Sequence, residues 1–136
     1  MITGLELPWP PSVNHYYRHV GPRVLISREG RRYREKIVSL LRENKVATYN
    51  GAVEINIEAY PPDKRRRDID NLLKSLLDAF THGGLWNDDS QVCSLTIKKR
   101  ESMPPNGMIY MEIKDYDKKT ESRSTVQDSS ELRESN

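Results

Sequence analysis

The sequence is poor in residues that staple a fold or cross a membrane. One cysteine, Cys93, stands among 136 residues, so no intrachain disulfide can form, and a reducing, cytoplasmic setting is the expectation. Phenylalanine occurs once, and only 35% of the residues are hydrophobic. No apolar run approaches the roughly 20 residues of a spanning helix, and no signal-peptide pattern is present, so no membrane partner is expected. No segment repeats at a fixed period, which excludes a repeat architecture. Neither sign of charge dominates: 22 basic residues face 20 acidic ones, a formal net charge of +2. What remains is a polar chain whose length suits one domain with a modest core.

The charges are unevenly spread. From Asp117 onward lie four of the basic and five of the acidic residues, which leaves 18 against 15 in the body. Segment 117–136 has almost nothing apolar to bury and reads as a flexible polar tail, with the folded domain in residues 1–116. Within the body the densest stretch is Lys64 to Asp89, KRRRDIDNLLKSLLDAFTHGGLWNDD. The cations Lys64, Arg65, Arg66 and Arg67 run into Asp68-Ile69-Asp70-Asn71. Leu72, Leu73, Leu76, Leu77 and Phe80 then recur at helix spacing. Gly83-Gly84 is suited to stop that helix, because glycine enters the left-handed region without a Cβ penalty.

Spacing turns these residues into chemistry. In an extended segment Asp68 and Asp70 share a face while Ile69 points into the core. Asp70 or Asn71 is suited to cap the helix that follows. Lys74 comes one helical turn after Asp70 on the same face, with Asp78 a turn beyond. If the chain folds back so that Asp88-Asp89 meets Asp68 and Asp70, the carboxylates converge beside one lysine and repel unless a cation joins them. Mg²⁺ suits such a cluster, being a hard ion that takes one or two carboxylates plus phosphate and water oxygens. Taken singly, each piece has a plainer reading that is the stronger one: a surface ion pair, a turn, a solvated basic loop. Together, cations beside acids make sense where a polyanion must approach metals.

Ile2–Leu7 forms a strand and Pro8-Trp9-Pro10-Pro11 a stiff connector. Asn14 to His19 reads as a polar, aromatic loop, fit to touch phosphates or stack on an unpaired base, or equally to cover a sheet. His15 and His19 have the spacing of metal ligands, but no helical pattern underlies them and zinc is rejected. Val24-Leu25-Ile26 leads into a helix starting at Ser27. Its stripe is Tyr33, Ile37, Leu40 and Leu41, and Arg28, Arg31, Arg32, Arg34 and Lys36 lie mostly off it. That basic face is either phosphate-facing or simply solvated. The helix fades near Asn44-Lys45. Val53, Ile55 and Ile57 alternate as a half-buried strand ending at Pro61-Pro62. Val92, Leu95 and Ile97 start another strand, and Met108, Tyr110, Met111 and Ile113 form the last, the two reading as a hairpin with a long loop. The order β-α-β-α-β-β describes a two-layer α+β domain with helices on one face of a mixed sheet.

At this point the residues resemble a family. RRRDIDNLLKSLLDAF…GGLWNDDSQV is similar to the signature of the RusA Holliday junction resolvases, small metal-dependent endonucleases that cut four-way DNA junctions. LPWPPSVNHYYRH and SREGRRYREKI resemble that family's opening, so the likeness runs from Leu5 to about Ile113. It implies catalytic aspartates at Asp68, Asp70 and Asp89, a catalytic lysine at Lys74, and an acidic neighbour at Asp88. It implies metal-assisted phosphodiester hydrolysis, with Mg²⁺, or Mn²⁺ in its place, held by Asp68, Asp70, Asp88 and Asp89, and cutting beside particular dinucleotides. DNA contacts are expected from Lys64, Arg65, Arg66, Arg67, Asn71, Tyr16, Arg18, Arg31 and Arg32. Two symmetric cuts in a four-way junction call for a homodimer. The alternatives are a non-catalytic DNA-binding module and a metal-dependent nuclease for flaps or single strands.

Overall fold

A computed structural model describes residues 2–117. The polar tail read at 117–136 lies, beyond Asp117, outside the described residues. The element order is β1 (Ile2–Leu7), α1 (Val13–Tyr16), β2 (Tyr17–Val20), β3 (Arg23–Ile26), α2 (Arg28–Glu43), β4 (Val53–Tyr60), α3 (Ile69–His82), β5 (Val92–Lys99) and β6 (Met108–Asp115). With α1 and the β2–β3 pair set aside, this is the expected β-α-β-α-β-β frame.

One sheet runs β1-β6-β4-β5, mixed because β4 pairs parallel with β5 and antiparallel with β6. The pleat of β4 sorts its residues cleanly. Val53, Ile55, Ile57 and Ala59 are buried, while Glu54, Asn56, Glu58 and Tyr60 keep partial exposure. The helices cover the buried face with Tyr33, Ile37 and Leu41 from α2 and Leu76, Ala79 and Phe80 from α3. Ser27 caps α2 by accepting from the Gly30 amide at 3.0 Å. The end of α3 is a Schellman turn: the amides of Gly84 and Leu85 donate to the carbonyls of Thr81 and Phe80, with Gly84 at φ +81°. No helix among the described residues is long and apolar enough to cross a membrane.

Three expectations are corrected. Strands β5 and β6 do not form a hairpin, because β4 lies between them. Residues 100–107 cross the end of β4, where the Arg100 and Met103 amides donate to the Ala59 and Pro61 carbonyls at 2.8 and 2.7 Å. Strand β4, with its full apolar face, takes an interior position between β6 and β5. The stretch Asn14–His19 is not a loop. It enters α1 and then β2, which pairs with β3 around Gly21-Pro22, with Gly21 at φ +59° as a tight hairpin turn requires. Finally, Asp68 is itself the N-cap of α3, with no side-chain cap bond, so Ile69 and Asp70 are already helical. Ile69 does not point into the core and remains 37% exposed.

Candidate active site

Four side chains along one face of α3 organise the site. Asp70, Lys74, Asp78 and Thr81 succeed one another at three- and four-residue spacing, so each stands about one turn above the last. Asp70 is exposed, as is Asp68 just before the helix. Among the described residues neither carboxylate accepts a hydrogen bond or joins an ion pair. Lys74 forms no ion pair with Asp70 or Asp78, and its Nζ rests 5.3 Å from the centroid of the Tyr17 ring.

Asp78 is engaged elsewhere. Arg34 of α2 grips it with a fork, Nε to Oδ2 at 2.9 Å and Nη2 to Oδ1 at 3.0 Å, and the Tyr16 hydroxyl donates to the same carboxylate. Burial, then the hydrogen bond with Asp78, pushes the Tyr16 hydroxyl well above the usual tyrosine range. Burial works against the charge on Arg34, but its bonds to Tyr16 and Asp78 outweigh that and raise its pKa. Tyr16 is 0% exposed, which corrects its reading as a DNA contact. Arg34 also lies differently from the outward basic face expected of it, reaching across to α3.

Asp89 sits at the far end of the face. Its Oδ1 accepts from the Thr81 hydroxyl and from the Trp86 indole N–H, the latter at 3.2 Å. Thr81 is eleven residues beyond Asp70, about 16 Å along the axis at 1.5 Å per residue. Asp88 accepts from the Ser90 hydroxyl. The expected convergence of Asp68, Asp70, Asp88 and Asp89 is therefore not present within this chain. Among the described residues no group of three His, Cys, Asp or Glu side chains is placed to hold a metal. The donor set that does stand free, Asp68 and Asp70, fits a hard cation that completes its shell with phosphate and water oxygens rather than an all-protein cage. His15, whose Nδ1 lies 3.1 Å from Ser12 Oγ, belongs to no such group.

The loop carrying Asp88 and Asp89 is fixed by a residue the sequence reading did not single out. Gln91 Oε1 accepts from the amides of Asn87 and Asp88 at 2.8 and 3.0 Å, and its Nε2 donates to the carbonyls of Tyr49 and Gly51 at 2.9 and 2.8 Å. A glutamine three residues after an acidic N-cap is the signal that could have found it.

The cations before α3 divide into two kinds. Arg67 is committed: its Nη1 donates to Asp63 Oδ1 at 2.7 Å, and its guanidinium lies 5.7 Å from the centroid of Trp9. That hydrogen bond, with one from the Arg65 amide, holds Asp63 down at about 2. Lys99 Nζ donates to the Arg67 carbonyl at 2.9 Å, which pins the loop against the end of β5. Lys64, Arg65 and Arg66 are exposed, and Arg65 makes only a 3.8 Å approach to Asp63. Asn71 is exposed beside them in the first turn of α3. Arg18, Arg31 and Arg32 are exposed too, on β2 and α2, with Arg31 Nη1 donating to the Ile26 carbonyl at 3.2 Å.

Comparison with known proteins gives this geometry a context. Residues 8–123 match the family described as endodeoxyribonuclease RusA. The chain is 45% identical over 97 residues to the crossover junction endodeoxyribonuclease RusA of Shigella sonnei (strain Ss046), covering 70% of this chain and 80% of that protein. It is 44% identical over 97 residues to the protein of the same name from Escherichia coli (strain K12), with the same coverage. The corresponding protein of Enterobacteria phage 82 is 44% identical over 96 residues, again 70% of this chain and 80% of its own length.

Proposed function

The chain belongs to the RusA family of endodeoxyribonucleases, and from that premise we propose that it resolves four-way DNA junctions by divalent-metal-dependent hydrolysis of phosphodiester bonds. One observation carries the reading. Two unpartnered carboxylates, Asp68 and Asp70, lie in sequence between exposed cations on one side, Arg65 and Arg66, and Lys74 on the other. A phosphate approaching along the basic loop arrives where hard oxygen donors are exposed.

Asp68 and Asp70 would hold Mg²⁺, with Mn²⁺ able to replace it; the ion, when bound, lowers the pKa of a water and offsets charge on the reacting phosphate. The chain's own residues supply the rest. Arg65, Arg66 and Lys64 bind the backbone through charge, and Asn71 adds a neutral contact at the start of α3. Lys74 places positive charge where the attacked phosphate becomes more negative. Asp89 holds the far end of the same face through Thr81 and Trp86, away from Asp68 and Asp70. Arg34 keeps Asp78 occupied, so that carboxylate does not compete for Lys74.

A four-way junction has two strands to cut in symmetric positions, and a homodimer with one site per subunit matches that symmetry. The test is nicking of a synthetic four-way junction and of linear duplexes with the same arm sequences, in Mg²⁺ and in chelator. Paired nicks in the junction alone, lost in chelator, are expected. Equal cutting of the linear duplexes, or preferred cutting of flaps, would replace junction resolution with a less selective nuclease; binding without cutting would leave a DNA-binding module.

A further inference from the structure

A cleft of about 500 Å³ opens beside Asp68, between the proline connector and the basic loop. Two kinds of surface meet in it. Trp9 and Pro11 give it apolar walls, Asn14, His15 and Asn71 bring hydrogen-bonding groups, and Arg66 brings a cation. The walls are braced: Arg67 ties Trp9 to Asp63, and His15 is tied to Ser12. Beyond the backbone contacts of Arg66 and Asn71, hydrolysis at a phosphate does not call on this hollow, since carboxylates and a lysine need no apolar wall beside them.

The cleft has the size of a small-molecule site, and its mixture of flat apolar wall, amides and rim cation matches a nucleobase with its phosphate. We infer that it receives one nucleobase unstacked from the DNA next to the phosphate at Asp68, and that Asn14, His15 and Asn71 read that base's edge. This rests on the junction-cutting reading above and adds how the cut position is chosen. Side-chain amides carry donors and an acceptor, so they discriminate among base edges. A base held in a continuous stack cannot enter. Extrusion is least costly where pairing is already disturbed, as at a crossover. The cleft therefore links recognition of the junction to recognition of sequence.

The experiment uses a four-way junction whose core migrates over several positions, cut by the wild type and by an Asn14→Ala/His15→Ala double variant. A second arm gives the wild type junctions with an abasic residue at each position flanking the preferred cut. The ratio of strongest to weakest cut positions should shrink about ten-fold in the double variant. One flanking abasic substitution should slow the wild type markedly and the double variant far less. The assignment is overturned if the folded variant keeps the wild-type ratio, if the wild type cuts all positions equally, or if it ignores every flanking abasic residue. The abasic arm decides the matter even if the double variant fails to fold. Failure of the wild type to cut any junction would instead remove the functional reading itself.

Discussion

The ammonium of Lys74 stands 5.3 Å from the centroid of the Tyr17 ring, and that ring in turn lies 4.8 Å from the ring of the buried Tyr16. Tyr16 bonds to Asp78, which Arg34 holds from α2. The lysine is thus positioned by an aromatic ledge anchored in the core and not by the carboxylates four residues to either side of it. An exposed cation–π contact contributes only about 0.5–1 kcal/mol, so the tether orients Lys74 without preventing its approach to a phosphate.

Lys74→Ala should lower single-turnover cleavage at saturating enzyme by roughly ten- to a thousand-fold, with little change in junction affinity. Tyr17→Ala should lower it by about five-fold, the worth of about 1 kcal/mol, and Tyr17→Phe should restore it because the ring is kept. If Tyr17→Phe is as slow as Tyr17→Ala, the hydroxyl matters and the ledge does not.

The Arg34–Asp78 pair bridges α2 and α3, with side chains 22% and 27% exposed. Removing one partner of a fully buried pair costs about 3–5 kcal/mol; with this residual solvent contact, about 2 kcal/mol is expected for Arg34→Met. Urea unfolding should show that loss, whereas Glu35→Ala, on the exposed side of α2, should stay within about 0.5 kcal/mol of the wild type. Equal stability of the two variants would mean that the bridge is not structural.

Neighbouring arginines should behave differently. Arg65→Ala/Arg66→Ala should weaken junction binding and reduce the slope of log affinity against log salt by about one per lost phosphate contact. Arg67→Ala removes the brace to Asp63 and Trp9, so its slope should change little while the basic loop gains protease sensitivity. A salt titration with limited proteolysis of both variants checks this. The brace is charged throughout ordinary conditions: Asp63 is depressed to about 2, so the pair is complete above the usual carboxylate pKa and is lost only as pH falls toward that value.

Much of the frame was legible because its signals are local. The alternation of β4 and the leucine spacing of α3 each declare one buried side within a single element, and Gly83-Gly84 announces its own Schellman turn. The partner of β6 was not legible, because strand neighbours are chosen by the whole sheet, and β4 claims both edges. Tyr16 looked like a surface ligand because a four-residue helix has too few positions to show a period. Arg34 flanks the apolar stripe of α2, and nothing nearby in sequence reveals an acid 44 positions away. The order of charges around Asp68, Asp70 and Lys74 was readable. The separation of Asp89 from them was not, since it depends on how Thr81 and Trp86 receive its carboxylate.

On the function proposed above, Asp70 serves the reaction and not the fold or the binding of DNA. The most direct test is single-turnover cleavage of a fixed four-way junction by Asp70→Asn in Mg²⁺, with enzyme saturating and binding and thermal unfolding measured on the same sample. Asp70 is exposed and, among the described residues, without a hydrogen-bond or ion-pair partner, so the substitution should leave folding and affinity intact. Cleavage should fall to background; cleavage at a near wild-type rate would show that the reaction does not need the Asp70 carboxylate.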